Sequence, residues 1–408
     1  MPKRGIILLV LILWTAAAGE QSLFSPEIAQ SRAVREAFSF LDQNRDKIVA
    51  EWIALTEIPA PSGQEGRRAA YLKAQFEAAG LAGVRIDAAG NVIGIWRGSG
   101  TGKRIAVSAH MDTVFQGVSE IKVTREGRWL KAPGIGDDTA SLINLIWTVR
   151  ALTAAHFAPV PTFYFLATVR EETGLAGMKA FLKEPPENID MVIALDDDLG
   201  KVHYGALGLG GGKVVFRGPG AHTMLSRGIP NPNLAVAKAI QRIYDIPLPS
   251  QPLEKWTVLN IGQIAGGKVT NAVSQESSFT VDLRSADQEE LDRARENIGR
   301  IVRDVAKETG TTAEIALRAE AKVHQIPGAA ESGLVKTLAE ILRFLGVREI
   351  EVDPLGSTEA NAGIERGILS VNVGRTYGNF KHSLNEEADI DGLFLAQRQL
   401  ILLLASLK

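Results

Sequence analysis

The chain of 408 residues contains no cysteine, and this absence excludes several kinds of chemistry. Without thiols there are no disulfides, no cysteine-based zinc finger and no cysteine nucleophile. The formal net charge of −2 provides no basic field for nucleic acid or an anionic membrane. Only six histidines are present, so each one within a motif carries weight. The hydrophobic content of 45% is ordinary for a globular protein, and the length suits two domains.

Residues 1–19 have the pattern of a secretory signal peptide. Lys3 and Arg4 precede an apolar run over residues 6–14, and small residues follow it. The alternative is an uncleaved membrane anchor, but the run is short for a bilayer span of about 20 residues. The missing cysteine also excludes a lipid-modified cysteine anchor. We therefore expect an exported protein, either periplasmic or extracellular.

Helix and strand patterns alternate after the leader. A helix is predicted from Pro26 to Ile58, and residues 62–65 resemble a capping box for a helix that ends near Gly80. Helical spacing returns over Ala140–Leu152. Continuous apolar runs predict buried strands, which favours an α/β fold with a mostly parallel sheet covered by helices. The predicted strands are Arg104–Ala109, Thr162–Val169, Met191–Leu195 and Leu369–Val373.

A second, smaller domain is predicted inside the first. The glycine-rich stretch 205–212 is expected to break the α/β pattern, and an α+β pattern with an antiparallel, ferredoxin-like sheet follows it. The predicted bounds are 26–208 and 321–408 for the larger domain and 209–320 for the inserted one. The predicted elements of the insert are Lys213–Phe216, Asn233–Tyr244, Thr257–Ile264, Ser277–Asp282, Gln288–Thr309 and Ala313–Leu317. Whether Thr257–Ile264 is an edge or an interior strand stays open.

Acidic and histidine side chains follow the ends of the predicted strands. Residues 110–112 (His-Met-Asp), 171–172 (Glu-Glu) and 196–198 (Asp-Asp-Asp) each come after a strand. A glycine-rich loop brings Asp137 and Asp138 to the start of a helix. Because ligands of open α/β sheets bind at the carboxyl ends of the strands, these groups are expected to gather along one edge.

Crowded carboxylates need compensating positive charge. The main cation that the sequence places nearby is Arg170. Buried charges are costly unless they are paired or bind a metal, and a divalent ion would relieve the repulsion. Imidazole and carboxylate oxygen form a ligand set that suits zinc, with cobalt or manganese as alternatives.

Each motif alone has a simpler interpretation. Asp112 is compatible with an ordinary loop acid, and Asp137-Asp138 with a helix cap. Glu171-Glu172 is compatible with a solvated strand end, and Asp196 to Asp198 with a polar turn. The combination of all four in this order favours a metal site.

The sequence resembles the dinuclear zinc peptidases and deacylases, which include glutamate carboxypeptidase, tripeptidase T, acetylornithine deacetylase and aminoacylase. The resemblance covers nearly the whole chain after the leader, and the tripeptidase-like members are most similar in character. The segments that carry it are 108–114 (SAHMDTV), 134–138 (GIGDD), 171–174 (EETG), 194–196 (ALD), 217–222 (RGPGAH), 266–273 (GGKVTNAV) and 380–383 (FKHS).

The resemblance implies two zinc ions and a role for each motif residue. Asp137 resembles the carboxylate that bridges both ions. His110 and Asp196 would complete one metal site, and Glu172 and His382 the other. Asp112 would orient His110 through the ring nitrogen that does not bind metal. Glu171 resembles the general base that takes a proton from a water shared by the two ions.

The inserted domain carries three further positions that match the family. His222 resembles a histidine that stabilises the oxyanion, often across a dimer interface, although a surface histidine near a turn is the alternative. Asn271 and Arg284 match positions that bind substrate, and Arg284 matches an arginine that binds a substrate carboxylate. The alternative for Arg284 is a salt bridge on a sheet face. The resemblance also implies a homodimer formed through the inserted domain.

The sequence departs from the family at two places. Thr139 and Ala140 follow the paired aspartates where lysine or arginine is frequent, and residues 356–359 read GSTE where GGTD is frequent. These differences affect the shape of the pocket more than the metal chemistry. The Asp196–Asp198 run also offers three acids for one ligand, and Asp196 is chosen because it directly follows the strand.

Three functions are compatible with these observations. The favoured one is a zinc-dependent exopeptidase acting on small peptides. The second is an N-acyl amino acid deacylase using the same site. The third, a binding protein without catalysis, predicts a lost base or ligand, whereas Glu171 and all five predicted ligands are present.

Overall fold

Helices and strands alternate along the computed structural model, which describes residues 20–100 and 102–407. The predicted signal peptide lies outside these residues. The helices are α1 (Pro26–Gln30), α2 (Arg32–Gln43), α3 (Arg45–Thr56), α4 (Gly66–Ala78), α5 (Thr139–Ala154), α6 (Ala176–Lys183), α7 (Pro232–Tyr244), α8 (Gln288–Thr309), α9 (Gly333–Phe344), α10 (Ala360–Ile364) and α11 (Ile390–Ser406). Within the described ranges, none of these helices combines the length and apolarity that a membrane crossing requires.

The strands form one large sheet, one smaller sheet and several short ribbons. They are β1 (Ala82–Ile86), β2 (Val92–Trp96), β3 (Arg104–His110), β4 (Thr124–Glu126), β5 (Trp129–Lys131), β6 (Thr162–Thr168), β7 (Met191–Leu195), β8 (Lys201–His203), β9 (Gly208–Arg217), β10 (Ala221–His222), β11 (Thr257–Gly266), β12 (Ala272–Val273), β13 (Glu276–Ser285), β14 (Thr312–Ala321), β15 (Glu351–Asp353), β16 (Leu369–Val373), β17 (Gly378–Asn379) and β18 (Glu387–Asp389).

The large sheet has the strand order β1-β2-β6-β3-β7-β16, and its last four strands are parallel. Strand β2 pairs antiparallel with β6, and β1 pairs antiparallel with β2. Strands β3, β6 and β7 are buried along nearly their whole length, as expected for a parallel sheet with both faces covered. The predicted α/β class and all four predicted strands are confirmed. The carboxyl ends of these strands lie at the same edge.

Helix α5 is buried on nearly all sides, because it packs against β3 and against the helices α2, α3 and α11. Its almost continuous apolar sequence suits this position. Since the loop that precedes α5 ends at Asp138, the packing of the helix fixes where that loop stands relative to the sheet edge.

The smaller sheet has the order β11-β13-β9-β14, with every neighbouring pair antiparallel. Together with α7 and α8 it gives the βαββαβ sequence of a ferredoxin-like unit. It encloses a separate apolar core, which includes Phe216, Phe279, Leu291 and Ile298. The predicted ferredoxin-like insert is confirmed as a fold, and β11 is an edge strand. The exact domain bounds, 26–208, 209–320 and 321–408, stay predictions.

The α/β pattern does end at the glycine-rich stretch 205–212, but the first strand of the insert was predicted to begin at Lys213, and this bound is wrong. Strand β9 begins at Gly208 and runs through the glycines. Gly212 has φ +137°, and a Cβ atom there would lie 2.0 Å from the carbonyl oxygen of Ala316 on β14. Glycine therefore serves here to let two strand backbones approach closely.

Two predictions near the amino terminus are also wrong. The single helix predicted over Pro26–Ile58 is three helices, because the backbone is extended at Ser31 and leaves the helical region at Asn44. The capping box does not form, since the Ser62 hydroxyl donates to an acid elsewhere. Helix α4 begins only at Gly66.

Candidate active site

The carboxyl edge of the large sheet carries most of the predicted site residues. His110 is the last residue of β3, and Asp196 directly follows β7. Glu171 and Glu172 come shortly after β6. The parallel register of β3 with β6 and β7 brings these three strand ends side by side.

Asp137 lies between two histidines that are far apart in the sequence. Its Oδ1 is 3.1 Å from His110 Nε2, and its Oδ2 is 3.1 Å from His382 Nε2. Glu172 Oε1 is 3.2 Å from the same His382 nitrogen. His110 and Asp137 are buried, whereas the His382 side chain is half exposed. Each oxygen of the Asp137 carboxylate thus faces a different imidazole. The site is buried at His110 and exposed at His382.

Three overlapping groups of side chains are close enough to hold a metal ion. Within each group the potential ligand atoms lie within 4.8 Å of one another. The groups are His110, Asp137, Asp138 and Asp196; His110, Glu171 and Glu172; and Asp137, Glu172 and His382. The structure therefore brings together all five predicted ligands and the predicted base.

Asp112 contacts the backbone of the predicted base and its neighbour. Its carboxylate accepts hydrogen bonds from the N–H groups of Glu171 at 2.9 Å and Glu172 at 3.3 Å, and from the Ser62 hydroxyl at 2.6 Å. His110 Nδ1 lies 3.0 Å from the Asp112 backbone oxygen and 3.5 Å from its carboxylate. Asp112 thus positions the Glu171 segment as much as the His110 ring.

The compensating cations differ from the one that the sequence suggested. Arg170 is exposed, so it does not neutralise the buried acids. Arg375 is buried among Asp137, Asp138 and Asp196. Arg375 follows β16 by two residues, so the rule that located the acids at strand ends would also have found it.

A second buried arginine lies beneath the site. Arg68 of α4 is fully buried and donates to the backbone oxygens of Thr56, Ile58 and Met111. Burial lowers the pKa of Arg68 to about 10, while the charge of Asp112 acts in the opposite direction. No sequence motif pointed to this residue, because its role depends on tertiary contacts.

The acids of the site differ in their protonation tendencies. Burial opposes ionisation of Asp137, but Arg375 and the two histidines hold its pKa well below the usual range. Burial raises the pKa of Asp138 well above its usual value, and His110 only partly counters this. Burial also raises the pKa of Glu171, again against the charge of His110. The environment therefore lowers the pKa of Asp137 and raises those of Asp138 and Glu171.

The donor set fits divalent cations. Metal–ligand bonds of about 2.0–2.2 Å in tetrahedral geometry place neighbouring ligand atoms roughly 3.3 Å apart, close to the distances around Asp137. Glu172 Oε1 and Asp138 Oδ1 are buried without a hydrogen-bond partner among the described residues. Buried carboxylates that cluster with imidazoles and have oxygens without a hydrogen bond are typical of a metal site.

The three predicted residues of the smaller sheet lie apart from this cluster. His222 is exposed on β10 and Asn271 is exposed just before its partner strand β12, and the Thr223 N–H donates to the Asn271 backbone oxygen. Arg284 is exposed on β13, and its Nε lies 3.2 Å from Asp282. In the described ranges no hydrogen bond or ion pair joins these residues to the Asp137 cluster. The Arg284 contact is the sheet-face salt bridge that the sequence left open.

Comparison with known proteins assigns the chain to a family. The profile of peptidase family M20/M25/M40 matches residues 106–404, which include the whole metal-capable cluster. The YqjE protein of Bacillus subtilis is 26% identical over 368 residues, covering 86% of this chain and 95% of that protein.

Two solved structures share the fold. A tripeptidase from Staphylococcus aureus superposes with a TM-score of 0.76 at 24% identity. Aminopeptidase PepT from Bacillus cereus superposes with a TM-score of 0.74 at 23% identity. Each comparison covers 89% of this chain and 98% of the other.

These matches confirm the family resemblance that the sequence motifs indicated. The profile extends over most of the chain, from β3 to α11. The chain therefore belongs to peptidase family M20/M25/M40 and is a hydrolase of that family.

Proposed function

We propose that this protein is an exported exopeptidase that uses two zinc ions to cleave the terminal amide bond of di- or tripeptides. The observation that carries the proposal is the Asp137 carboxylate, held between His110 and His382 with Glu172 beside it. The tripeptidase and aminopeptidase names of the two structural neighbours support small peptides as substrates. Export, to the periplasm or beyond the cell, rests on the leader pattern of residues 1–19.

Two sets of residues would hold the ions. His110 and Asp196 would share Asp137 with the second set, Glu172 and His382. Two zinc ions in these places would polarise the scissile carbonyl and lower the pKa of a water to about 7. Cobalt or manganese would suit the same ligands.

Glu171 would transfer the proton. Its side chain is buried and belongs to the same close group as His110 and Glu172. Its backbone is fixed by the hydrogen bond to Asp112, which limits where the carboxylate can point. In this position Glu171 would take a proton from the attacking water and deliver it to the departing amine.

His222 and Asn271 of a second copy would complete the site, because within one chain they lie apart from the Asp137 cluster. Both are exposed at one ribbon, so they are free to contact a substrate, with His222 stabilising the developing oxyanion. Arg284 would bind a substrate carboxylate after exchanging its contact with Asp282. Replacing His222 by alanine should lower kcat while leaving the metal content unchanged.

A homodimer formed through the smaller sheet is part of the proposal. Edge strand β11 exposes Val258 and Ile264, and α7 exposes Leu234 and Tyr244. An unpaired edge beside apolar side chains is suited to pairing with a second copy. Ile264→Lys should shift the protein toward the monomer in sedimentation, whereas a matched Val160→Lys change on the other domain should leave the mass unchanged.

The decisive experiment compares Glu171→Gln with Glu172→Gln. Metal content and tripeptide turnover are measured for both variants and for the unchanged protein. Glu171→Gln should keep its metal and lose roughly 10²–10⁴-fold in kcat, because the base is not a ligand. Glu172→Gln should lose metal. Metal loss in Glu171→Gln alone would show that the two roles are exchanged.

A substrate panel separates the remaining alternatives. Tripeptides, dipeptides and N-acetyl amino acids are supplied to the same metal-loaded protein, and free amino acids are measured. Cleavage of the N-acetyl compounds alone would replace the exopeptidase proposal by the deacylase. Full metal loading without turnover of any compound would favour a binding protein.

A further inference from the structure

Arg375 places a permanent positive charge inside the group of acids that would hold metal. The residue is 2% exposed. Its guanidinium pairs directly with Asp196, lies 3.6 Å from Asp138 Oδ1 and lies 3.7 Å from Asp137 Oδ2. Arginine stays protonated at any pH relevant to the enzyme, so this charge is always present.

The contacts of Arg375 fall unequally on the two halves of the site. It occupies Asp196 Oδ1, which also accepts a hydrogen bond from the Asp197 N–H. Only Oδ2 of Asp196 is then left to bind a cation. The oxygen of Asp137 that Arg375 approaches, Oδ2, is the one that faces His382, but this contact of 3.7 Å is longer than the direct pair with Asp196.

The other half of the site has only this longer contact with Arg375, through Asp137 Oδ2. Glu172 and His382 form no ion pair with Arg375 in the part of the chain that the structure describes. Lys381, the neighbour of His382, turns toward Asp197 instead, at 3.2 Å. A cation bound by Glu172 and His382 would therefore meet less direct competition.

We propose that Arg375 makes the two cation positions unequal, weakening the one formed by His110, Asp137 and Asp196. The guanidinium competes for an oxygen of Asp196 and repels a divalent ion at short range. The position formed by Asp137, Glu172 and His382 would then fill first. This inference rests on the proposed two-metal function, but it concerns the binding of the ions and not turnover.

Calorimetric titration of the metal-free protein with Co²⁺ tests the inference. The unchanged protein should bind two ions with clearly different Kd values. Arg375→Met removes the charge and keeps an apolar side chain of similar length. The weaker Kd should tighten at least tenfold and approach the stronger one.

Three further variants keep the result decisive. Arg375→Lys keeps the charge and should keep the two affinities unequal. Arg375→Gln is a second neutral variant if the methionine variant does not fold, as judged by circular dichroism. Arg398→Met removes an arginine that pairs with Asp42 at the surface, and it should change neither affinity.

The direction of the change separates a competing charge from a positioning role. Weaker binding at both positions in the neutral variants would overturn the inference, because Arg375 would then be positioning the ligands. Equal Kd values in the unchanged protein would overturn it as well. Failure of the unchanged protein to bind any Co²⁺ would instead contradict the metal-dependent proposed function.

Discussion

The carboxylate of Glu386 accepts a hydrogen bond from the backbone N–H of Asp137 at 2.7 Å. It also accepts from Gly134 at 2.8 Å and Gly136 at 3.2 Å. A Cβ atom on Gly136 would lie 2.7 Å from the same carboxylate, so a larger residue there would displace the Glu386 side chain. Since Glu386 follows His382 by four residues, one buried side chain ties the Asp137 loop to the His382 loop.

Replacing Glu386 by glutamine should therefore damage the site without removing a ligand. The amide keeps one acceptor oxygen and turns its NH₂ group toward backbone donors. Supporting residues of this kind typically contribute about 10–100-fold in metal affinity or activity, and a loss of that size is expected in kcat and in metal binding. KM for a tripeptide should change little. Steady-state kinetics and metal titration of the variant measure the three quantities.

The neighbouring acid is the matched control for this change. Glu387 pairs with Lys131 away from the Asp137 loop, so Glu387→Gln should keep nearly full activity. An equal loss in both variants would mean that the effect comes from the β18 segment as a whole and not from the hydrogen bonds to the loop.

Asp112 provides a second prediction, because it holds the Glu171–Glu172 backbone through two N–H groups. Asp112→Asn would place an amide NH₂ against one of these donors, and kcat should fall by about 10–100-fold. Ser62→Ala removes only the hydroxyl that donates to Asp112. Its loss of kcat should be smaller, and the free energy of unfolding should fall by about 1 kcal/mol.

Kinetics and thermal unfolding of the two variants test this ranking. A larger loss of kcat in Ser62→Ala than in Asp112→Asn would contradict the inference that the backbone contacts of Asp112 matter most.

The sequence predicted those parts of the site that follow from strand order. His110, Glu171 and Asp196 stand where a buried apolar run meets a polar segment, and parallel strands bring such ends to one edge. The position of Asp137 before α5 is equally local. His382 needed the family resemblance, since the strand before it, β17, is only Gly378–Asn379 and has no apolar run that would predict it.

Two supporting residues were not predictable in the same way. Arg68 and Glu386 act on residues that are distant in the sequence, and their contacts depend on how helices and loops pack, whereas Arg375 stands just after β16, where the strand-end rule applies. Ser62 was assigned to a helix cap because the local sequence does not show that Asp112, 50 residues away, accepts a hydrogen bond from its hydroxyl. Short-range rules therefore locate the ligands better than the groups that hold them.

The glycine-rich start of β9 gives a test of the smaller sheet. Gly212→Ala should destabilise the protein by at least about 2 kcal/mol, because φ is +137° and the new Cβ would meet the Ala316 carbonyl at 2.0 Å. Gly210→Ala is the matched control, since its nearest atom would be 3.5 Å away. Urea unfolding of both variants measures the difference. Equal stability of the two would show that the close approach of β9 and β14 is unimportant.

His203 forms a buried ion cluster next to the predicted ligand Asp196, through the neighbouring Asp197. Its Nδ1 lies 2.7 Å from Asp353 and its Nε2 lies 3.3 Å from Asp197. Lys201 and Lys381 also face Asp197, at 3.5 and 3.2 Å. Burial opposes the charged form of the histidine, but the two acids raise the pKa of His203 to about 9.

The pairing should make stability depend on pH in a defined direction. Since the pKa is raised in the folded state, the stabilisation is fully present below the unfolded value of about 6.5 and is lost as the pH rises toward 9. His203→Gln should therefore cost on the order of 3 kcal/mol near pH 6 and much less above pH 9.5. Urea unfolding of both proteins across this range measures the difference.

The difference between the two proteins isolates His203 from other groups that titrate in the same range, because those groups are common to both. His156→Gln is a control for replacing a histidine outside the cluster. A His203→Gln difference that stays constant from pH 6 to pH 10 would mean that the ring is neutral in the folded protein. In that case its contacts with Asp197 and Asp353 would be hydrogen bonds of a neutral imidazole, and the cluster would have no role as a charge pair.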